Sequence, residues 1–242
     1  MEASKMQRMQ AQKMEDVREL FDKTSRSYDF MNHLFSFSVD SAWRRRLVRE
    51  SAAGEGSRVL DLCTGTGDVA IHFARRIKGA RVTALDFSQL MLERAREKVA
   101  RAGLEDRVEL RQGDALNLPW QAGSFDVVCN SFGLRTLEDR GKAVAEMARV
   151  ASAGGRVLIL EFLPPPATLF GALYSWHLHT LMPALGGALS GYRRSYAYLS
   201  ETVASFPSPE KVGEMMKAAG LQEITWRLLT GGIACLFKGT RP

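Results

Sequence analysis

Cysteine is scarce in this chain of 242 residues, with only Cys63, Cys129 and Cys235. An odd number at wide spacing excludes a disulfide framework, so buried free thiols in a reducing compartment are expected. Histidine is no more helpful to a metal. Of four, only His177 and His179 are close, and i,i+2 spacing puts them on different faces of a helix, so no metal is expected. The first residues, MEASKMQRMQAQKME, have no apolar signal-peptide core and predict a helical arm. Internal repeats and low-complexity runs are absent, and 45% hydrophobic with 25% charged residues suits one large core with a cap.

Charge is missing altogether from Phe162 to Tyr192, which holds no Asp, Glu, Lys or Arg. A run that long meets the usual criterion for a membrane span. Pro164 to Pro166 break its start, however, Pro183, Gly186 and Gly187 interrupt its second half, and it directly follows a predicted strand at Arg156–Glu161. An apolar cap is the better prediction. Its Phe170, Leu173, Tyr174, Trp176 and Leu178 either line a hydrophobic substrate site or pack as plain core.

What is present begins with Val59 to Asp68, VLDLCTGTGD. Arg58–Leu62 reads as a strand ending at Gly65 and Gly67, which let the backbone approach a ligand without a Cβ between. Asp68–Ile77 has helical spacing, with Ala70 as the small residue that lets helix pack on strand. A second strand, Val82–Leu85, ends at Asp86, about 20 residues beyond the glycines, where a carboxylate can accept both hydroxyls of a ribose. Val108–Arg111 leads into Gly113, Asp114 and Ala115, an acidic turn suited to an adenine amino group. Ser124–Asn130 is a fourth strand with Ser131 at its end. Four strands thus deliver polar groups or glycines to one crevice.

The acids discriminate between cofactors. A dinucleotide needs a helix amino terminus for its pyrophosphate, whereas Asp61 and Asp68 flank this turn and suit an ammonium and a cationic sulfur. The expected cofactor is S-adenosylmethionine, bound by Asp61, Gly65, Thr66, Gly67, Asp86, Asp114, Ala115 and Ser131, in a Rossmann-like class I α/β methyltransferase. The net charge of +6, with clusters at Arg44–Arg46 and at Arg193 and Arg194, invites a nucleic-acid partner, but a solvated charge run explains it as well. After Asn130 the chain reads Ser131, Phe132, Gly133, not the Asn/Asp-Pro-Pro-aromatic turn of enzymes that methylate base amino groups. It also lacks a Pro-Cys nucleophile for pyrimidine carbon chemistry, so nucleic acid is not expected as a partner.

From about Val17 to Lys238 the chain resembles the ubiquinone/menaquinone biosynthesis C-methyltransferases. The resemblance rests on FDKTSRSYDFMNHLFSFSVDSAWRR, DLCTGTGD, LDFSQLML, GDALNLPW, SFGLR, EMARV with AGGRVLILEF, and YRRSYAYLSETVASFPSPEKVGEMMKAAG. It implies cofactor contacts at Thr66, Asp86, Asp114 with Ala115, and Ser131. It also implies C-methylation of a prenylated quinol ring, demethylmenaquinol to menaquinol or a benzoquinol of ubiquinone synthesis. Arg135, in the SFGLR turn, is the catalytic candidate, stabilising an ionised phenol whose ortho carbon attacks the methyl group; it could equally bridge acids of the fold. Tyr28, Asn32, Tyr192 and Tyr196 are substrate-contact candidates. Thr136 stands where the family has Asn, Ser38 and Asp40 where it has Gly and often His, and Ser152–Gly155 where it has Lys-Pro-Gly-Gly. These departures leave open a methyltransferase of another lipid or polyketide phenol, or a non-catalytic cofactor-binding subunit of a quinone-synthesis complex.

The expected layout is an amino-terminal helical arm and substrate lid over residues 1–50, then a methyltransferase domain over residues 51–242 with the apolar cap inserted at about 162–200. Asp139–Val150 and Pro209–Ala219 are predicted amphipathic helices. Ile224–Leu229 with Ala234–Lys238 is a predicted hairpin closing a seven-stranded sheet. The expected setting is cytoplasmic, peripheral to a membrane surface, with a homodimer as the assembly.

Overall fold

The computed structural model describes residue 36, residues 39–181 and residues 200–242. Seven strands form one sheet in the order β3-β2-β1-β4-β5-β7-β6. They are β1 (Arg58–Leu62), β2 (Arg81–Asp86), β3 (Val108–Gln112), β4 (Phe125–Ser131), β5 (Ala151–Phe162), β6 (Gln222–Leu229) and β7 (Ala234–Thr240). β1 to β5 run parallel. β7 enters antiparallel between β5 and β6. The predicted hairpin is therefore correct, and it supplies both the single reversed strand and the outer edge.

The helices follow from local signals. α1 is Asp40–Glu50, α2 is Asp68–Arg76, α3 is Gln89–Arg101, α4 is Arg140–Val150, α5 is Leu169–Trp176 and α6 is Pro209–Ala218. Ser88 caps α3 by accepting from Met91 N at 3.2 Å, and Asp139 caps α4 by accepting from Lys142 N at 2.8 Å, each satisfying an otherwise orphaned donor. Pro209 opens α6, where its missing N–H costs nothing.

Alternation along the strands divides the core between the two faces of the sheet. Val59, Val127, Cys129, Leu158, Leu160 and Phe162 face one side with Trp43 and Leu47 of α1, Phe73 of α2, and Tyr174 and Leu178 of the cap. Leu60, Leu62, Val128, Val157 and Ile159 face the other with Val144 and Met147 of α4 and Met216 of α6. The strand order reverses between β1 and β4, so their carboxyl ends diverge into the crevice where ligands of such sheets bind.

Two expectations change. β5 begins at Ala151, well before Arg156, because Ser152–Gly155 bulges within the strand between the pairs Phe125↔Ala151 and Val127↔Arg156. Arg241 closes that bulge: its N–H donates to Gly155 O at 2.9 Å and its guanidinium to Arg149 O at 2.6 Å. The cap aromatics do not share one face. Tyr174 and Leu178 are buried core, whereas Leu173 and Trp176 are 60% and 54% exposed.

Candidate active site

The glycine turn is held by its neighbours on both sides. Gly65 has φ +57° and Gly67 φ +85°, backbone that L side chains rarely adopt. Gly65 N donates to Asp86 Oδ2 at 2.8 Å, and Ser88 N donates to Asp86 Oδ1 at 3.0 Å. The acid predicted for the ribose therefore also ties the end of β1 to the end of β2. Gly67 begins α2, where a Cβ would lie 3.2 Å from Ala95 Cβ of α3.

A cleft opens beside this turn, lined by Asp86, Phe87, Asp114, Ala115, Leu116 and Thr136 among others. Its wall is mainly apolar, with Asp86 and Asp114 as the convergent acids. Asp114 Oδ1 accepts from Leu116 N at 2.8 Å and Oδ2 from Asn117 Nδ2 at 2.7 Å, which fixes the turn after β3. A Cβ on Gly113 would come within 2.7 Å of Leu85 Cδ1, so this glycine lets the turn close over the second strand. Thr136 donates to Gly133 O at 2.7 Å and faces this cleft together with Asp86. The sequence offered no sign that the residue replacing the family's Asn would border the nucleoside side.

A smaller polar pocket continues past Cys63 and is lined by Arg44, Asp61, Thr64, Thr66, Val69 and Ser131. Asp61 is buried, accepts from the Thr64 hydroxyl at 2.6 Å, and has its carboxyl pushed up to about 6 by burial. Thr66 receives a hydrogen bond from Lys98 Nζ at 3.0 Å. Ser131 Oγ and Arg44 Nε are buried without a partner among the described residues. Orphaned polar atoms in a polar pocket that shares Cys63 with an apolar cleft holding two acids fit a cofactor that has an adenosine end and a charged amino-acid end.

Asp68 departs from expectation. It does not line this pocket, because Arg44 Nη1 donates to its Oδ2 at 2.6 Å and Lys98 pairs with its Oδ1. Arg44 and Lys98 outweigh its desolvation and hold the carboxyl below its ordinary value. The basic cluster at Arg44–Arg46 also resolves unevenly. Arg45 is solvated, as a charge run should be, but Arg44 is buried and its guanidinium stacks 5.5 Å from the Phe132 ring. Only its position beside Trp43, on the buried stripe of α1, hinted at this.

Arg135 sits beneath the cap. Its Nη1 donates to Glu161 Oε1 at 2.7 Å and to Phe132 O, its backbone N donates to Glu161 Oε2 at 3.1 Å, and its guanidinium lies 5.5 Å from the Phe162 ring. Phe132 and Phe162 pack at 4.6 Å, with Trp43 edge-on to Phe162 at 5.9 Å. Burial pushes the Tyr174 hydroxyl well above its ordinary value, opposed by Arg135. The structure thus brings Arg135 together with Glu161, which the predicted site did not include, and with Tyr174, which was foreseen only as a cap residue. Tyr28, Asn32, Tyr192 and Tyr196, with Ser38 and the pair Arg193 and Arg194, lie outside the described residues. Among the described residues no helix is long and apolar enough to cross a membrane.

The model of the ubiE/COQ5 methyltransferase family matches residues 6–241. A protein of Thermus thermophilus named demethylmenaquinone methyltransferase is 43% identical, covering 92% of this chain and 100% of that one. A protein of Geotalea uraniireducens named ubiquinone/menaquinone biosynthesis C-methyltransferase UbiE is 38% identical, covering 95% and 98%. Among solved structures, a SAM-dependent methyltransferase from Aquifex aeolicus superposes with a TM-score of 0.58 at 19% identity, covering 82% of this chain and 89% of that one. At that identity the likeness speaks to the fold alone.

Proposed function

The chain belongs to the ubiE/COQ5 methyltransferase family, and from that premise we propose that it methylates a ring carbon of a prenylated quinol, demethylmenaquinol to menaquinol, in quinone biosynthesis. It is an S-adenosylmethionine-dependent methyltransferase. The observation that most supports the quinol as acceptor is the placement of Arg135, which bridges to Glu161 at 2.7 Å beside Phe132 and Phe162 yet keeps a buried Nε without a partner among the described residues. A neutral aromatic carbon is a poor nucleophile, whereas an ionised phenol enriches its ortho carbon, which would take the methyl group as the carbon–sulfur bond breaks and then lose its ring proton, yielding S-adenosylhomocysteine and one proton. A guanidinium in low-dielectric surroundings favours that anion.

When bound, S-adenosylmethionine supplies an electrophilic methyl group. The chain's own residues do the rest. Asp86, Asp114 and Ala115 hold the adenosine, Gly65 and Gly67 admit it closely, and Asp61, Thr66 and Ser131 face its amino-acid end. Arg135 stabilises the phenolate, and the cap excludes water. Tyr28, Asn32, Tyr192 and Tyr196 are substrate contacts in this proposal. The lipid tail explains why Leu169, Leu173 and Trp176 point outward on α5: they carry peripheral contact with a membrane surface. The reading takes the protein as a cytoplasmic homodimer without a nucleic-acid partner, needing no metal, with the first 50 residues as lid. The direct assay supplies S-adenosylmethionine and a reduced, prenylated demethylnaphthoquinol. Quinol-dependent formation of S-adenosylhomocysteine is expected, and no turnover on naphthoquinols or benzoquinols would overturn the proposal.

Asp61 adds a pH dependence. Considered alone, its folded carboxyl keeps a proton up to about 6, whereas the unfolded chain releases it in the ordinary carboxylate range. Across that window the folded state binds more protons, so stability declines as pH rises. Holding an ammonium requires the ionised form, so S-adenosylmethionine should bind about tenfold more weakly at pH 5 than at pH 7. Titration calorimetry across that range checks this, and Asp61→Asn should flatten the profile.

A further inference from the structure

We infer that Arg44 binds the carboxylate at the amino-acid end of the cofactor, completing a site in which Ser131 is the second donor and Asp61 the ammonium partner already proposed. The inference rests on the reading of S-adenosylmethionine as cofactor. It assigns to the cofactor site a helix α1 residue that no glycine-turn motif includes.

Three features of one pocket carry it. Arg44 and Ser131 both line the pocket with Asp61. Arg44 Nε and Ser131 Oγ, on residues from α1 and the end of β4, are buried without a partner among the described residues. A buried N–H and a buried hydroxyl left unpaired each carry a desolvation cost that a ligand acceptor would remove. The guanidinium is also preorganised. Its Nη1 is held by Asp68 at 2.6 Å, its Nη2 approaches Asp40 at 3.4 Å, and Phe132 stacks against it. Those contacts fix one N–H on Nη1 and orient Nη2, and Nε has no partner among the described residues.

The surrounding charges fit the same assignment. Asp40 and Asp68 offset Arg44, and Lys98 offsets Asp68 again, so the cluster is close to neutral before a ligand binds. Ionised Asp61 adds one negative charge that an ammonium offsets, and Arg44 Nε offers a separate donor to a carboxylate, so the two ends of an amino acid each have a partner in this pocket. The arrangement also explains why Arg44 is buried while Arg45 is solvated.

The test compares two ligands that share adenosine and thioether but differ in the amino-acid end: S-adenosylhomocysteine and methylthioadenosine. Kd for each is measured by calorimetry on the full chain. Arg44→Gln is expected to weaken S-adenosylhomocysteine on the order of 10- to 100-fold while leaving methylthioadenosine within about threefold. Ser131→Ala removes one neutral hydroxyl, and about fivefold is expected, again on S-adenosylhomocysteine alone. The serine variant keeps the test open should Arg44→Gln fail to fold. Equal losses for both ligands would mean that the residues merely support the fold, and no loss for either would mean that they do not touch the ligand; both results overturn the inference. Failure of wild-type protein to bind S-adenosylhomocysteine would overturn the cofactor reading itself, whereas tight binding without quinol turnover would overturn only the acceptor.

Discussion

Replacing Asp86 with alanine is expected to raise the Kd for S-adenosylmethionine by at least ~100-fold. The carboxylate does two things at once. Its Oδ2 accepts from Gly65 N at 2.8 Å, and its Oδ1 from Ser88 N at 3.0 Å, so it holds the glycine turn in a left-handed conformation against the second strand. It also lies at the wall of the cleft, where under the proposed function it would accept from the ribose. Hydrogen bonds to a charged group contribute about 1.5–3 kcal/mol each. Losing two exceeds ~100-fold even at the low end. Asp86→Asn keeps an acceptor but puts an amide against one backbone N–H, so an intermediate loss is expected. Calorimetry with S-adenosylmethionine checks both variants, and a Kd within about threefold of wild type for the alanine variant would contradict the assignment.

The second large effect concerns the pair beneath the cap. Arg135 and Glu161 are buried and meet at 2.7 Å, with side chains 2% and 0% exposed. Glu161 also accepts from the backbone N–H groups of Arg135 and Phe162. Glu161→Ala strands the guanidinium, and breaking a buried pair from one side costs about 3–5 kcal/mol. For a chain of this length that is a fall in Tm on the order of 10 °C. Arg135→Lys separates structure from chemistry. A lysine keeps the positive charge near Glu161 but loses the planar fork, so the fold should persist while methyl transfer falls about 100-fold. S-adenosylmethionine binding should stay within about threefold. A lysine variant with near wild-type turnover would reduce Arg135 to a bridge within the fold.

How much of this was legible depended on whether the signal was local. The parallel strands β1, β2 and β4 announced themselves as short apolar runs because they are buried on both faces, and the glycine turn because its backbone excludes a Cβ. β5 was read short because the bulge at Ser152–Gly155 looks like a turn, and what makes it part of a strand is Arg241, at the far end of the chain. Asp68 was misread for the same reason. An acid beside the glycines looks like a cofactor contact until Arg44 and Lys98, from two other helices, are seen to neutralise it. Arg44 itself was lost in a basic run, since burial of one arginine among three depends on the helix face it occupies. Glu161 lay within AGGRVLILEF, but nothing in that run marked it as the partner of an arginine. Its partner is 26 residues earlier in the chain, and only the adjacency of β4 and β5 brings them together.

The central claim, methyl transfer to a ring carbon of a prenylated quinol, is tested most directly by the fate of the methyl group. Supplying S-adenosylmethionine with a carbon-13 methyl and a reduced prenylated demethylnaphthoquinol, followed by NMR of the extracted product, is predicted to show the label as a carbon-bound aryl methyl. Label appearing as an O-methyl ether, or none entering the quinol despite tight cofactor binding, would contradict it.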